Sequence, residues 1–440
     1  MDDRRHARSG AEPARDPAMS RGRIRLRLTG LALGGIGATA VLVAALLGSG
    51  AGADLAGFVA ALGGPGSAGP GGASSGGGSS PPSASPTAAP TPVPTAGPTP
   101  TPTPTPTFAP TPTPSPTPVL VPDPLTGRPV APALAARHPI AVMVDDLRPA
   151  RPQSGFGAAG IVWQAPAEGG IPRYMLLFGA DDPPAVGPVR SARHYFVAWA
   201  AEWQAVYVHV GGSPQALALL RQSGRGQLVY DADEFRYGGR YLWRIDERSP
   251  PHNVYTDGEH LRALAKVVGA KDEVRRPVWR FEPDAPIADR PVGGTIEVPY
   301  PANRVRYAYD RLTNTYRRSV TGERNQVDAA TGEVVAPKNV VVLFVRFAPL
   351  DDGSTKHRLE AQVTGSGVAY VATNGTVTKG TWRKRRIDAP VELLDRAGRP
   401  IPLTVGQTFV QVVPTGTPVR FVSGSPAPPR PRAVGIPIAT

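Results

Sequence analysis

Proline and threonine alternate along residues 81–124, a stretch that includes PTPVPTAGPTPTPTPTPTFAPTPTPSPTP. Proline lacks a backbone donor and fixes φ, and threonine offers little apolar area, so such a stretch cannot build a hydrophobic core. It predicts an extended polyproline-type stalk that rises about 3.1 Å per residue and spans roughly 100 Å. With the Gly/Ser-rich tract before it, we expect a disordered stalk over residues 49–134 that holds a globular remainder at a distance.

An uncharged apolar stretch begins at Leu28 and ends at Leu47, and it is long enough to span a bilayer as a helix within residues 28–48. Residues 1–27 before it contain eight arginines, so this basic tail is expected to stay cytoplasmic while the rest is exported. The stretch is either a single-pass anchor or a signal peptide cut near Ala53. Both alternatives predict an extracytoplasmic globular part in the cell envelope, and they differ in the tether.

The composition excludes several kinds of site. The chain has no cysteine, which rules out disulfides, thiol catalysis, thiolate metal sites and a lipidated cysteine. The net charge is +13, yet no nucleic-acid-binding module or dense basic run is present. The sequence also lacks H-E-x-x-H, G-x-S-x-G, P-loop and dinucleotide-binding motifs. We therefore expect no nucleic-acid partner, no metal and no cofactor.

Residues 135–282 alternate apolar strands with helical patterns, which predicts an α/β domain with a mixed sheet and helices. Ser213 and Pro214 fit the N-cap and first position of one of these helices. The predicted strands are at 140–144, 161–165, 174–178 and 205–210, and the predicted helices at 191–203, 214–222 and 257–268.

Residues 295–422 contain short β-branched runs with turn signals between them, which predicts a smaller, mainly antiparallel β domain before a tail at 423–440. Asn374 and Gly375 between two such runs indicate a tight hairpin. Aromatic and basic side chains in this half form either an exposed face for glycan or phosphate polymers or ordinary cross-strand pairs, and we favour the pairs. These side chains are Tyr307, Tyr309, Tyr316, Trp382, Arg317, Arg318 and Arg383.

Polar segments follow the predicted strand ends of the α/β half. A strand, the turn Gly211-Gly212-Ser213 and a capped helix would expose N–H groups to an anion. Arg190 and Arg193 add guanidinium groups that hold carboxylate or phosphate. The segments meet at one sheet edge if their strands are neighbours. The predicted ligand-binding set is Arg173, Arg190, Ser191, Arg193, Gly211, Gly212, Ser213, His252 and Asn253.

Two other interpretations of these segments remain open. In the first, the glycine turn is simply a tight turn and the arginines pair with Glu168, Asp145 or Asp146. In the second, Glu168 works as a catalytic carboxylate with Asp145 or His209; such a pair comes from separate strands and therefore leaves no local sequence motif. His209 lies on an apolar strand, where a hydrogen-bonded core histidine is the more common outcome.

Segments from both halves resemble the YerB-like lipoproteins, a family of exported bacterial proteins with domains of unknown function. The matching stretches include HPIAVMVDD, EGGIPRYMLLF, VGPVRSARHYF, AVYVHVGGSPQA, PPHNVYT, YAYDRLTNTYRR and GSGVAYVATNGTVTKGTWRK, and they span residues 138–414 in order. The resemblance implies an α/β domain before a smaller C-terminal domain, and it brings no established activity. Many members look like lipoproteins, whereas this chain has an apolar stretch instead of a cysteine.

The sequence thus predicts a membrane-tethered extracytoplasmic protein that binds an anionic ligand or wall polymer. The alternative is an envelope hydrolase or transferase that uses strand-end carboxylates and histidine.

Overall fold

The computed structural model describes residue 97 and residues 118–221, 227–273, 275 and 277–426. The predicted cytoplasmic tail, the membrane span and most of the stalk lie outside these residues. Except for residue 97, all described residues belong to one compact unit, Thr107–Thr440.

The first half of the described chain contains all five α-helices and nine of the strands that the structure describes. The helices are α1 (Pro132–Ala135), α2 (His194–Ala200), α3 (Pro214–Leu220), α4 (Glu234–Tyr237) and α5 (Gly258–Val267). The strands are β1 (Val121–Pro122), β2 (Pro129–Val130), β3 (Ile140–Asp145), β4 (Ile161–Pro166), β5 (Pro172–Phe178), β6 (Val206–His209), β7 (Tyr230–Asp233), β8 (Trp243–Arg244) and β9 (Val254–Tyr255).

The second half of the described chain is built from strands, in agreement with its short β-branched runs. They are β10 (Phe281–Glu282), β11 (Thr295–Tyr300), β12 (Asn303–Asp310), β13 (Thr315–Val320), β14 (Asn339–Val345), β15 (Phe347–Pro349), β16 (Leu359–Ala361), β17 (Gly365–Thr373), β18 (Thr376–Lys384), β19 (Glu392–Leu394), β20 (Leu403–Thr404), β21 (Thr408–Pro414) and β22 (Arg420–Val422).

The fold is rich in β-structure and is centred on one mixed sheet of ten strands, in the order β19-β18-β17-β14-β21-β4-β5-β3-β6-β7. Strands β3, β4 and β5 are buried at every position, because their apolar runs are covered on both faces. The pairs β3–β6, β6–β7, β14–β21 and β21–β4 are parallel, and the other neighbours are antiparallel.

The ten-stranded sheet runs through both predicted domains. Strand β21, near the end of the described chain, pairs in parallel with β14 on one side and with β4 on the other. The sequence predicts a separate and mainly antiparallel second domain. In the structure, parallel pairing of β21 with β4 joins the second half to the sheet of the first half. An apolar run shows that a strand is buried, but it does not show which neighbour the strand pairs with.

The fold also begins earlier than the predicted end of the stalk at residue 134. Strands β1 and β2 pair with each other, and Leu125 between them is buried in the core, where it packs close to Gly160 and Gly179. The carboxylate of Asp123 accepts a hydrogen bond from the hydroxyl of Thr126, and this bond stabilises the turn. The sequence signal is weak here because prolines continue into this hairpin.

A four-stranded antiparallel sheet, β13-β12-β11-β22, packs against part of the large sheet, and its inward side chains share a hydrophobic core with that sheet. Its tyrosines, including Tyr307, Tyr309 and Tyr316, point inward and are buried, as is Trp382 of β18. The interpretation of these aromatic residues as ordinary sheet packing is confirmed. The predicted hairpin at Asn374 and Gly375 is also confirmed, since both residues have positive φ and Thr373 pairs with Thr376.

Buried polar groups connect the first half of the chain to the second. Asn303 Nδ2 donates to both carboxylate oxygens of Asp146, at 3.0 and 2.9 Å, and Arg318 donates to Gln164 Oε1 at 2.6 Å. Elsewhere Lys384 Nζ lies 2.9 Å from Glu202 Oε1, and both side chains are buried. A buried charge is costly without its partner, so these contacts fix the two halves to each other.

We predict that Glu202→Gln lowers the free energy of unfolding by about 3 kcal/mol or more, because it leaves the buried Lys384 ammonium without a counter-charge. Urea denaturation measures this change. Asp388→Asn is the matched control, since it breaks an ion pair with the exposed Arg386 and should change stability little. Equal losses in the two variants would contradict the prediction.

Candidate functional site

The ends of three neighbouring strands bring the predicted polar segments to one edge of the large sheet. Strands β3 and β6 run parallel and end at this edge, with Asp145 and His209. Strand β5 runs in the opposite direction and begins here, so that Arg173 lies opposite Asp145 in register. Convergence of these segments thus follows from the strand directions.

Residues 187–193 cross this edge in an extended conformation. The N–H of Arg190 donates to Met143 O at 2.9 Å, and the carbonyl of Arg190 accepts from Val210 N at 3.1 Å. Two residues further on, Ala192 N donates to Gly211 O at 2.9 Å. These backbone hydrogen bonds fix the crossing segment against the ends of β3 and β6.

Arg173, Arg190 and Arg193 form an arginine cluster with the carboxylates of Asp145 and Glu168. Arg190 Nε lies 2.8 Å from Asp145 Oδ2. Glu168 receives the other two guanidinium groups, Arg173 NH2 at 3.4 Å and Arg193 NH2. The arginines therefore do pair with carboxylates, as one interpretation of the sequence expects, but three cations face two anions.

Burial and mutual repulsion affect the ionisation of this arginine cluster. Burial and the neighbouring charge of Arg193 together lower the pKa of Arg173 to about 10, against the opposing effect of Glu168. Burial would raise the pKa of Glu168, yet Arg173 and Arg193 together hold it below its ordinary value. Arg173 and Glu168 therefore both carry their charges at neutral pH.

The arginine cluster retains unused hydrogen-bond donors. The buried Nε–H groups of Arg190 and Arg193 make no hydrogen bond within the described part of the chain, although Arg190 Nε is ion-paired with Asp145. Arg193 itself is only 8% exposed. A further anionic group at this edge would satisfy donors that the protein leaves unpaired.

His252 extends the arginine cluster through Asp145. Its Nδ1 lies 2.7 Å from Asp145 Oδ2, although 107 residues separate the two in sequence. A ring that donates Nδ1–H to a carboxylate leaves Nε2 as an acceptor. The sequence predicts His252 as a ligand-binding residue but does not indicate its pairing with Asp145, because no local spacing connects the two.

Ser191 and Asn253 contribute less directly than the sequence predicts. The carbonyl of Ser191, rather than its hydroxyl, accepts a hydrogen bond from Arg173 at 2.6 Å. The Asn253 side chain accepts from Arg244 at 3.0 Å and donates to Ile245 O, so it stabilises its own loop. A direct role for either side chain in ligand binding stays a prediction.

The glycine turn is occupied by the protein's own groups. Gly211 N donates to Asp233 Oδ1 at 2.8 Å, and Ser213 N donates to Ala192 O at 3.2 Å. Ser213 Oγ accepts from Ala216 N and caps α3 as expected. The carboxylate of Asp233 thus lies where the sequence places an external anion, and this geometry favours the tight-turn interpretation over an anion site at Gly211, Gly212 and Ser213.

His209 is fully buried and both of its ring nitrogens have partners. Nδ1 lies 2.7 Å from Gly211 O, and Nε2 lies 2.8 Å from Asp231 Oδ1. These contacts fit a hydrogen-bonded core histidine that shapes the turn, and they leave no free nitrogen for catalysis. Within the described ranges, no group of three or more His, Asp or Glu side chains is arranged to hold a metal ion.

Comparison with known proteins identifies relatives of both halves. Residues 125–271 match the N-terminal domain, and residues 296–410 the C-terminal domain, of the family described as "Protein of unknown function (DUF3048)". "Putative lipoprotein YerB" of Bacillus subtilis (strain 168) is 33% identical over 298 residues, which cover 66% of this chain and 86% of that protein. The crystal structure of YerB is similar with a TM-score of 0.61 and 29% identity, and it covers 68% of this chain and 99% of that chain.

The structure does not describe the predicted membrane span, residues 28–47. In the part of the chain that it does describe, no helix is both long and apolar enough to cross a membrane.

We predict that acid weakens the fold in part through Glu168. Its folded pKa is below the unfolded value of about 4.3, so its contribution to stability is present above that pH and is lost as pH falls through the folded pKa. The free energy of unfolding of Glu168→Gln, measured by denaturant titration, should therefore depend less steeply on pH below about 4.5. The control Glu247→Gln removes an exposed carboxylate, and a slope like that of Glu168→Gln would contradict the assignment.

Proposed function

The chain belongs to the DUF3048 family, and from this premise we propose that it is a membrane-tethered protein of the cell envelope whose extracytoplasmic part binds an anionic ligand at the arginine cluster. The location is supported by the apolar stretch that begins at Leu28, by the arginines before it, and by the lipoprotein name of the relative YerB.

One observation carries the binding proposal: three guanidinium groups share two carboxylates at a sheet edge. The excess of one positive charge is held by buried and half-buried side chains, where its solvation by water is incomplete. A carboxylate or phosphate group would balance that charge and accept a hydrogen bond from the Nε–H of Arg193, which has no partner in the described part of the chain. Both groups occur on polymers of the bacterial wall, and the arginine geometry accepts either of them.

Arg190 is the most accessible member of the arginine cluster, because its side chain is more exposed than those of Arg173 and Arg193. We expect Arg190→Gln to weaken binding of a purified anionic wall polymer about tenfold or more, since charge-assisted hydrogen bonds contribute roughly 1.5–3 kcal/mol. Calorimetric titration measures the affinity. Parallel titrations with inorganic phosphate and with succinate distinguish phosphate from carboxylate recognition.

The matched control is Arg396→Gln, which removes an exposed arginine that has no ion pair in the described part of the chain. This control should bind like the parent protein. Unchanged affinity of Arg190→Gln for the wall polymer would contradict the proposed site.

The contact between His252 and Asp145 favours a second candidate function, an envelope hydrolase or transferase. Asp145 would orient the imidazole, and His252 Nε2 would accept a proton from water or from a substrate hydroxyl. The predicted participation of Glu168 is compatible with this scheme, because Arg173 contacts Glu168 and lies opposite Asp145.

For this second function, we expect His252→Gln to lower the rate of cleavage of purified peptidoglycan by about 100-fold or more. Release of soluble fragments measures the rate. His260→Gln is the control, because His260 of α5 makes a similar contact: its Nδ1 lies 2.8 Å from Oδ1 of Asp257, the N-cap residue of that helix. Equal rates for the two variants, or no cleavage by the parent protein, would argue against the enzyme.

A further inference from the structure

The outward face of the four-stranded sheet carries a basic groove that is separate from the arginine cluster. Residues of β12 alternate between buried and exposed, so Arg304 and Arg306 point outward while Val305 and Tyr307 point inward. With residues of β11, β22 and the turn before β22 they line a cavity of about 420 Å³. We call it the outer groove, and it is lined by Glu297, Val298, Pro299, Arg304, Val305, Arg306, Pro418 and Arg420.

Strand register places the charges of the outer groove in rows across the sheet. Glu297 of β11 lies opposite Arg306 on one side and opposite Arg420 on the other. Arg304 lies opposite Pro299, in the next outward-facing row. Because adjacent strands are about 4.8 Å apart, the backbones at Arg306 and Arg420 are roughly 10 Å apart. Strand pairing therefore fixes the backbones of three arginines at intervals along the outer groove.

These charges are poorly compensated. Glu297 Oε1 lies 3.7 Å from Arg306 Nε, and the two side chains are 45% and 49% exposed, so this ion pair is weak. Arg304 and Arg420 make no ion pair with any residue that the structure describes. The outer groove thus carries three positive charges and one negative charge, with its guanidinium groups open to solvent.

Basic surface continues beyond the end of the outer groove. The N–H of Arg304 donates to Thr321 Oγ1 at 2.8 Å, and the exposed side chain of Arg148 extends over the neighbouring Gly322. Arg324, two residues further on, is also exposed. A single small anion would use only one of these guanidinium groups, whereas a linear polyanion would contact several.

We propose that the outer groove binds a linear phosphate polymer. Arginine forks bind phosphate oxygens well, and their spacing across strands suits a ligand with repeated single charges. The lining residues include no aromatic side chain on which a nucleobase could stack, which disfavours single-stranded nucleic acid. The concave shape disfavours a flat bilayer surface. This proposal does not require the arginine cluster to bind a ligand.

The test uses the parent protein and variants with long-chain inorganic polyphosphate as the probe, in titrations between 50 and 200 mM salt. The triple variant Arg304→Gln, Arg306→Gln, Arg420→Gln should bind at least about tenfold more weakly. Its plot of log affinity against log salt should lose about two to three units of slope, because fewer counterions are released. Glu297→Gln should bind more tightly, since it removes the only carboxylate that lines the outer groove.

Arg317→Gln is the matched control, because Arg317 lies on the same exposed sheet face but is paired with Asp310 at 3.5 Å, outside the outer groove. It should retain the affinity and the salt slope of the parent protein. A triple variant with an unchanged melting temperature and unchanged polyphosphate binding would overturn the proposal. Preferential binding of the parent protein to acidic lipid vesicles or to single-stranded DNA over polyphosphate would overturn it as well.

Discussion

Parallel hydrogen bonding of β21 between β14 and β4 is the interaction on which the whole sheet depends. Without β21, the strands of the first half and those of the second half would each end in an unpaired buried edge, and unpaired backbone groups are costly where water is excluded. Residues 161–164 pair with residues 408–411, so the sheet closes only after most of the chain is available. The two family domains are therefore distinct segments of the sequence, but their strands belong to one hydrogen-bonded sheet.

Local signals predict the elements of this framework better than their connections. The apolar run at 140–144, the N-cap at Ser213 and the hairpin at Asn374 all have short-range causes, and each is confirmed. The position of β21 has no such cause, since neighbouring buried strands have nearly the same composition. The start of the fold at Val121 also lacks a signal, because the prolines of residues 81–124 continue into a packed hairpin.

The candidate site shows the same division between local and long-range information. Convergence of Asp145, Arg173 and Arg190 could be predicted, because polar residues at the ends of adjacent strands meet at one edge. The partner of each charge could not be predicted. His252 reaches Asp145 across 107 residues, and Asp233 fills the glycine turn from the end of β7. At the turn the protein supplies its own anion, whereas at the arginine cluster two carboxylates leave one positive charge unbalanced.

The position of Leu125 shows at which end of the large sheet the preceding chain enters the fold. It packs near Gly160 and Gly179, which flank the start of β4 and the end of β5, whereas Arg173 and Asp145 lie at the other ends of these strands and of β3. A strand of six residues is about 20 Å long. The chain before Val121 therefore enters the fold at the end of the sheet opposite to the arginine cluster.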